Sequence, residues 1–556
     1  MRLGDILVAS GAITEKMRAD ALEEQKRDSR RLGAILVDMG YMSEDELVTA
    51  LSQQLDVPVV HPMDMNISRS ILQLVPYRYA MEHMVIPIDC NDTRVLLAMA
   101  DPMDIAVSDY VSSRTGLRVE YAVAPESEIL QAAHQLYSLA EEEVMVEEAK
   151  GIDSPPEALA DEDMLRQLSE QAPAVRLTNA ILLEAVDNRS TDVHIEPGRH
   201  NVAVRIRVDG MLRRIMSVPK ALQLALVARL KVMSDLDITE RRLPQDGRAA
   251  LRVRGHEVDI RVSTLPCQHG EKIVLRLLDK STSLLELTNL GCTSDDLVAI
   301  EDFLSRPQGL ILVTGPTGSG KTTTLYGMIN RLRSEQVNIT TVEDPIEYEI
   351  PGISQSQIHL QIGITFASQL RNILRQDPDI ILVGEMRDME TADIGFRAAL
   401  TGHIVLSTLH TNDAPSALIR LVDIGVEPYL IPSCLTGVVA QRLLRSVCPY
   451  CKQPATPPEY FLSILRADVP DIDSWELVKG AGCRNCSQTG YLGRSAIFEI
   501  LRNSEEIAGA LFAKAPAPEI RRIAISQGMH SLRSRALERL KARLTTAEEV
   551  VRVTHF

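Results

Sequence analysis

No run of about 18 uninterrupted apolar residues occurs in the 556-residue chain, so no segment is long enough to span a bilayer. The opening "MRLGDILVAS" also lacks the charged start, long apolar stretch and small-residue cleavage site of a signal peptide. Together these absences lead us to expect a cytoplasmic protein. A basic surplus is missing as well: 59 Lys and Arg face 76 Asp and Glu, for a net charge of -17. That balance argues against a protein that coats nucleic acid, because neutralising phosphates requires excess Lys and Arg, although local basic pockets remain open to it. Aromatics make up 4% of the chain, hydrophobic residues 45% and charged residues 24%, an ordinary composition for a globular protein. Cysteine is sparse, and four of the eight fall into two Cys-x-x-Cys pairs. In a reducing compartment this spacing points to a metal site rather than to disulfides.

The length suggests roughly three or four domains. Residues 1–57 hold a repeated phrase, and 58–140 mix short apolar runs ("MVIPI", "RVLLAMA") with helical stretches, as a small α/β unit does. Residues 141–172 are acidic, interrupted by Pro155 and Pro156, and read as a linker. From 173 to 288 a helix ("VRLTNAILLEAVDN") precedes alternating strands, giving an α+β middle domain. Residues 289–445 alternate apolar strands with helices, the pattern of a parallel sheet with crossover helices. A tetracysteine element over 446–490 and a helical region over 491–556 complete the layout.

"LILVTGPTGSGKTTTLYGMI" is a buried strand, a Gly-rich loop and a helix start. Gly315, Gly320, Lys321 and Thr322 match G-x-x-x-x-G-K-[ST] in the setting that motif needs. The segment Gly315, Pro316, Thr317, Gly318, Ser319, Gly320, Lys321, Thr322 and Thr323 is placed to wrap phosphates at a helix N-terminus with its backbone N–H groups, Pro316 having none. Lys321 reaches the β and γ phosphates, and the Thr322 hydroxyl ligates Mg²⁺. The chain is therefore expected to bind ATP. Two later strands end in carboxylates, "NITTVEDPIEYEI" at Glu343 and Asp344 and "DPDIILVGEMRD" at Glu385. Ligands of parallel sheets sit at the strand C-terminal ends, so one carboxylate can polarise water while another supports the magnesium shell. A third strand, "TGHIVLSTLHTNDA", is flanked by His403 and His410, for which structural and functional readings weigh about equally.

These boxes together resemble the type II secretion and type IV pilus assembly ATPases, and the resemblance covers nearly all of residues 173–556. "TDVHIEP", "VRIRVDG" and "RRLPQDGR" resemble the domain that precedes the motor in that family. The resemblance implies a PAS-like middle domain, a RecA-like ATPase core and a homohexameric ring. It further implies that Arg261 and Arg276 complete the nucleotide site as arginine fingers, the alternative being charge on a strand surface. Arg371, Arg375 and Arg387 divide in the same way between ligand contact and subunit interface. Where phosphate-loop proteins usually end the second apolar strand in an Asp, Gly384 here precedes Glu385, a form the resemblance marks as normal for secretion ATPases.

"VCPYCKQ" and "GCRNCSQTG" offer Cys448, Cys451, Cys483 and Cys486, a set suited to a tetrahedral S4 shell around a structural Zn²⁺. Cys90, Cys267, Cys292 and Cys434 are isolated and expected in the core. The resemblance implies that assembly and secretion ATPases carry this element and a long N-terminal extension, while retraction ATPases lack both.

"RLGDILVASG" at residues 2–11 returns as "RLGAILVDMG" at 31–40. The alignment pairs Arg2 with Arg31, Leu3 with Leu32, Gly4 with Gly33, Gly11 with Gly40, Leu22 with Leu51 and Gln25 with Gln54. A duplication that merely packs on itself is one reading, yet each unit keeps an Arg, two Gly and a Gln that packing is not expected to demand. The pattern resembles the cyclic di-GMP-binding N-terminal domain of mannose-sensitive haemagglutinin pilus ATPases, whose ligand has two equivalent halves for two equivalent units. The first unit departs at Arg18, where the second has Leu47.

The expected function is thus a cytoplasmic, Mg²⁺-dependent hexameric ATPase that powers pilus or pseudopilus assembly or type II secretion and is regulated by cyclic di-GMP. It would dock at the inner membrane on a platform protein and a membrane-anchored partner, without nucleic acid. Two other classes compete: a cyclic di-GMP sensor with a passive motor scaffold, and a conjugation-type nucleic-acid translocase.

Overall fold

The repeated phrase folds as a repeated helix–turn–helix. In the computed structural model, Leu3–Ala9 and Glu15–Gln25 form the first unit, and Leu32–Asp38 and Glu44–Leu55 the second. The described residues are 3–25, 31–65, 67–133, 136–137, 162–253, 256–279 and 286–555. Arg2 and most of the acidic stretch expected as a linker lie outside them. Gly11 (φ 77°) and Gly40 (φ 69°) make equivalent turns in a left-handed conformation that glycine adopts without strain. The core pairs equivalent positions, Leu7 with Leu36, Ile13 with Met42 and Ala21 with Ala50. Behind it, β1 (Val85–Cys90), β2 (Arg94–Met99) and β3 (Arg118–Val123) form a sheet in that order, antiparallel then parallel.

In the middle region β4 (Asp192–Pro197), β5 (Asn201–Val208), β6 (Met211–Pro219), β7 (Gln245–Val253), β8 (His256–Cys267) and β9 (Gly270–Asp279) form a sheet in the order β6-β5-β4-β9-β8-β7. Helix Glu162–Glu170 falls inside the stretch read as linker. Its Leu165 and Leu168 are buried against Ala174, Leu224, Ala225 and Ala228, a helical spacing that the surrounding acidic charge masks in the sequence. The expectation for the isolated cysteines needs correction: Cys434 is buried, but Cys267 is exposed at the end of β8, and Cys90 and Cys292 are half-buried.

The motor contains β10 (Gly309–Thr314), β11 (Ile339–Glu343), β12 (Ser354–Gln357), β13 (Ile380–Val383), β14 (Ile404–Leu409), β15 (Leu435–Val447) and, after the short pair β16 (Lys452–Pro454) and β17 (Val478–Gly480), β18 (Tyr491–Arg502). The strand order is β12-β11-β13-β14-β10-β15-β18, parallel except for the β15–β18 hairpin. β10 is buried throughout: Leu310 and Leu312 join one core, Ile311 and Val313 the other. Alternating side chains thus fill both faces, as the parallel part of the sheet, covered on both sides, requires. The C-terminal helices bury Ile507, Ile520, Leu532, Leu540 and Val550 in the first of these cores.

Candidate nucleotide site and tetracysteine cluster

β10 delivers the phosphate loop at its C-terminal end, and helix Lys321–Leu332 starts directly behind it with no side-chain cap. The first N–H groups of that helix are therefore left for a ligand, at the positive end of the helix dipole. Pro316, Thr317 and Gly318 are exposed at the tip, while Gly315 and Ser319 are buried. A side chain at Gly315 would place its Cβ 2.7 Å from the Gln441 carbonyl oxygen. Lys321 folds back on the loop, its Nζ donating to the carbonyls of Gly315 (2.9 Å) and Pro316 (3.3 Å). Burial pulls its ammonium below the ordinary value, and Glu385 opposes that shift.

The carboxylates separate into two kinds. Glu385 is half-buried beyond β13, bound by Arg387 Nε at 2.7 Å and facing His410 Nε2 at 3.5 Å. Burial lowers the His410 pKa and the nearby Lys321 lowers it further, so its neutral form is favoured against the pull of Glu385. Glu343 instead points inward. It is 3% exposed and accepts hydrogen bonds from Tyr326, from the Thr341 hydroxyl at 2.6 Å and from Gln355 Nε2 at 3.2 Å. Asp344, next along the chain, is exposed.

The two histidines also part company. His410 follows β14 at the end level with Thr314, whereas His403 precedes the strand at the end level with Gly309. Six strand residues, about 20 Å, lie between them. The expectation that His403 belongs to the site is therefore corrected: its Nδ1 meets the Ala398 carbonyl at 2.9 Å and closes helix Met389–Leu400. Arg371 pairs with Glu390 and Arg375 with Asn372. On the middle sheet, Arg261 is half-buried on β8, and Arg276 on β9 pairs with Asp192 at 3.3 Å.

Gln441 and Arg442 escaped the sequence reading. They lie in β15 beside the loop, where Gln441 accepts from the Thr324 hydroxyl at 2.7 Å and Arg442 donates to the Asn412 carbonyl at 2.8 Å. Their signal was a Gln-Arg pair interrupting the apolar run "LTGVVAQRLL".

The four cysteine sulfurs converge, all within 4.8 Å of one another. Cys448–Cys483 and Cys483–Cys486 are 3.7 Å apart and Cys451–Cys486 3.8 Å. A tetrahedral shell with metal–sulfur bonds of about 2.3 Å has edges of about 3.8 Å, so the donor set fits a zinc-sized ion. Backbone N–H groups of Gly482, Cys483 and Gly490 donate to these sulfurs at 3.2–3.3 Å, outer bonds that stabilise thiolate charge.

In the N-terminal repeats Gly4 and Gly33 serve packing. A Cβ at Gly33 would meet Leu47 at 2.7 Å, and one at Gly4 would meet Arg18 at 3.1 Å and Leu32 at 3.3 Å. The sequence reading that packing does not demand these glycines is thus overturned for Gly4 and Gly33. Arg18 pairs with Asp5 at 2.8 Å, Arg31 is exposed and pairs with Asp101, Leu22 is 40% exposed, and Gln25, Leu51 and Gln54 are half-buried.

Residues 167–552 match the family model of the type II/IV secretion system protein, and residues 55–143 match that of the MshEN domain, an interval that begins after both RLG phrases. The chain is 42% identical to the type IV pilus assembly ATPase PilB of Myxococcus xanthus, over 99% of this chain and 98% of the relative. It is 41% identical to the type II secretion system protein E of Xanthomonas campestris, over 97% and 96%. The solved Legionella pneumophila ATPase DotB shares the fold at 21% identity and a TM-score of 0.50, covering 68% of this chain and 95% of that one. Among the described residues no helix is long and apolar enough to cross a membrane. With its phosphate loop, acidic strand ends and matched family, the chain belongs to the type II/IV secretion system proteins and is an ATPase of the pilus-assembly and type II secretion kind that carries an MshEN domain.

Proposed function

We propose that this ATPase works as a Mg²⁺-dependent homohexamer that drives pilus or pseudopilus assembly, with Glu385 as the residue that positions and deprotonates the attacking water. The observation carrying this reading is the constellation of Lys321, Glu385 and His410 at the loop end of the sheet. Lys321 turns from the loop carbonyls to the β and γ phosphates when nucleotide enters, and the Thr322 hydroxyl helps to hold the magnesium. Bound magnesium neutralises charge on the phosphates. Neutral His410 accepts or relays a proton beside Glu385 without adding a competing cation. Glu343 is assigned a supporting role, because Tyr326, Thr341 and Gln355 already engage its carboxylate. Exposed Asp344 remains available to the magnesium shell. Arg261 and Arg276 are proposed as arginine fingers that close the site, in a RecA-like core preceded by a PAS-like domain.

The tetracysteine set is proposed to hold one structural Zn²⁺, supported by its edge lengths and N–H···S bonds. Cyclic di-GMP is proposed as a regulator, a reading the MshEN match over residues 55–143 supports; its grip through Arg2, Arg31, Gln25, Gln54 and the leucines Leu3, Leu22, Leu32 and Leu51 rests on the repeated RLG units alone. In this view the protein is cytoplasmic, associates with the inner membrane through a platform protein and an anchored docking protein, and uses no nucleic acid.

The test is phosphate release by the purified chain. Glu385→Gln should retain ATP binding and lose turnover on the order of a hundredfold or more. Undiminished turnover would remove Glu385 from the chemistry.

A further inference from the structure

The phosphate loop is braced from the side by a residue far away in sequence. β10 and β15 run parallel with Thr314 opposite Ala440, so Gln441 stands level with Gly315, the first loop residue. Its side chain is buried at 2% exposure. The fully buried Thr324, in the first turn of helix Lys321–Leu332, donates its hydroxyl to Gln441 Oε1 at 2.7 Å. This bond orients the amide so that Nε2 lies against the loop's other end, where a Cβ on Gly320 would approach it to 2.8 Å. Gln441 therefore touches both ends of the loop, Gly315 with its backbone and Gly320 with its side chain. The next residue, Arg442, donates to the Asn412 carbonyl in the loop that follows His410.

We infer that Gln441 is a positioning residue for nucleotide binding: through Thr324 it holds the phosphate loop and the first helical turn in their binding shape before nucleotide arrives. A glycine-rich loop has many conformations to lose, and a ligand that must order it binds more weakly than one that meets it already ordered. The brace acts on the part of the loop that grips phosphate in both ATP and ADP, so it should set affinity rather than the chemical step. Glu385 and His410, proposed above to handle the attacking water, are not its partners.

The full-length protein tests this with fluorescent ATP and ADP analogues, followed by steady-state turnover. Thr324→Val, which keeps the side chain's shape but removes the donor, should weaken both nucleotides about tenfold, as should Gln441→Ala. Turnover at saturating ATP should stay within about twofold, so that KM rises while kcat holds. Thr324→Ser restores the hydroxyl and should bind like the parent. The double variant Thr324→Val with Gln441→Ala should be no weaker than the worse single variant, since both remove one bond. Undiminished affinity in Thr324→Val, additive losses, or a fall in kcat at unchanged KM would each overturn the inference. If Gln441→Ala does not fold, the Thr324→Val and Thr324→Ser pair decides alone. A parent protein that failed to bind ATP would be a failure of the nucleotide site itself, seen before any variant is made.

Discussion

The phosphate-loop edge of the motor and the N-terminal RLG repeats both announce themselves by short, glycine-bearing phrases, yet the structure uses those phrases differently. In the motor, parallel strands that are buried on both faces deliver Gly315, Glu385 and His410 to one edge. Gly315 and Gly320 there sit close against Gln441, Gly318 is open, and the helix N–H groups are left uncapped. In the repeats, Gly4 and Gly33 are spent on close packing against Arg18, Leu32 and Leu47, and the paired leucines form the core. What remains for a ligand is a rim of exposed or half-buried residues, chiefly Arg31. Close packing around glycine occurs in both regions, so what singles out the motor edge is its uncapped helix start with Lys321, Glu385 and His410 gathered beside it.

The largest expected effect tests the motor side of this contrast. Lys321→Ala should abolish measurable ATP binding in calorimetry, because the residue supplies the charge that meets the β and γ phosphates. Retained tight binding would mean that the loop's backbone alone suffices. Next, Glu343→Gln should leave turnover within a few-fold of the parent but lower the thermal midpoint, since it disturbs a buried carboxylate held by three donors. A hundredfold turnover loss without destabilisation would return the base role to Glu343.

Metal removal probes a third use of local spacing. The purified chain should carry about one zinc per molecule by elemental analysis, and Cys448→Ser should lose it and loosen the C-terminal region. The effect should reach the β15–β18 hairpin, because Cys448 directly follows β15 and its N–H bonds to the Gly490 carbonyl just before β18. A zinc-free protein of unchanged stability would leave the 3.7–3.8 Å sulfur spacing without a function.

The repeats yield a smaller, two-sided test. Gly33→Ala drives a methyl into Leu47 and should destabilise the N-terminal region by about 1–2 kcal/mol, whereas Arg31→Ala should leave folding intact and reduce cyclic di-GMP binding in calorimetry. If Arg31→Ala binds as the parent does, the repeats are packing units only.

How far the sequence could be read follows from where the information lies. The phosphate loop and the cysteine knuckles were legible because their chemistry depends on residues a few positions apart. Glu343 and Glu385 were both seen as strand ends, but burial by Tyr326 and Gln355 depends on which strands and helices become neighbours. His403 and His410 were bracketed together, although strand direction puts them about 20 Å apart. Gln441 could not be found locally, since only the adjacency of β10 and β15 brings it to Gly315.

The smallest effect concerns His410 and carries a definite sign. Its folded pKa lies below the ordinary 6.5 because burial and Lys321 disfavour the imidazolium. As pH falls, the unfolded chain therefore takes up this proton before the folded one, and the stability it contributes above pH 6.5 is lost below it. The side chain is 44% exposed, so solvent screening keeps the effect small. Between pH 7.5 and 5.5 the thermal midpoint of the parent should fall by about one degree more than that of His410→Gln, which cannot take the proton. A nucleotide phosphate beside Lys321 supplies negative charge and should shrink the difference, and so repeating the measurement with saturating ADP ties the shift to the site. An excess loss in His410→Gln instead of the parent would reverse the sign and show that Glu385, not burial and Lys321, dominates the imidazole's surroundings.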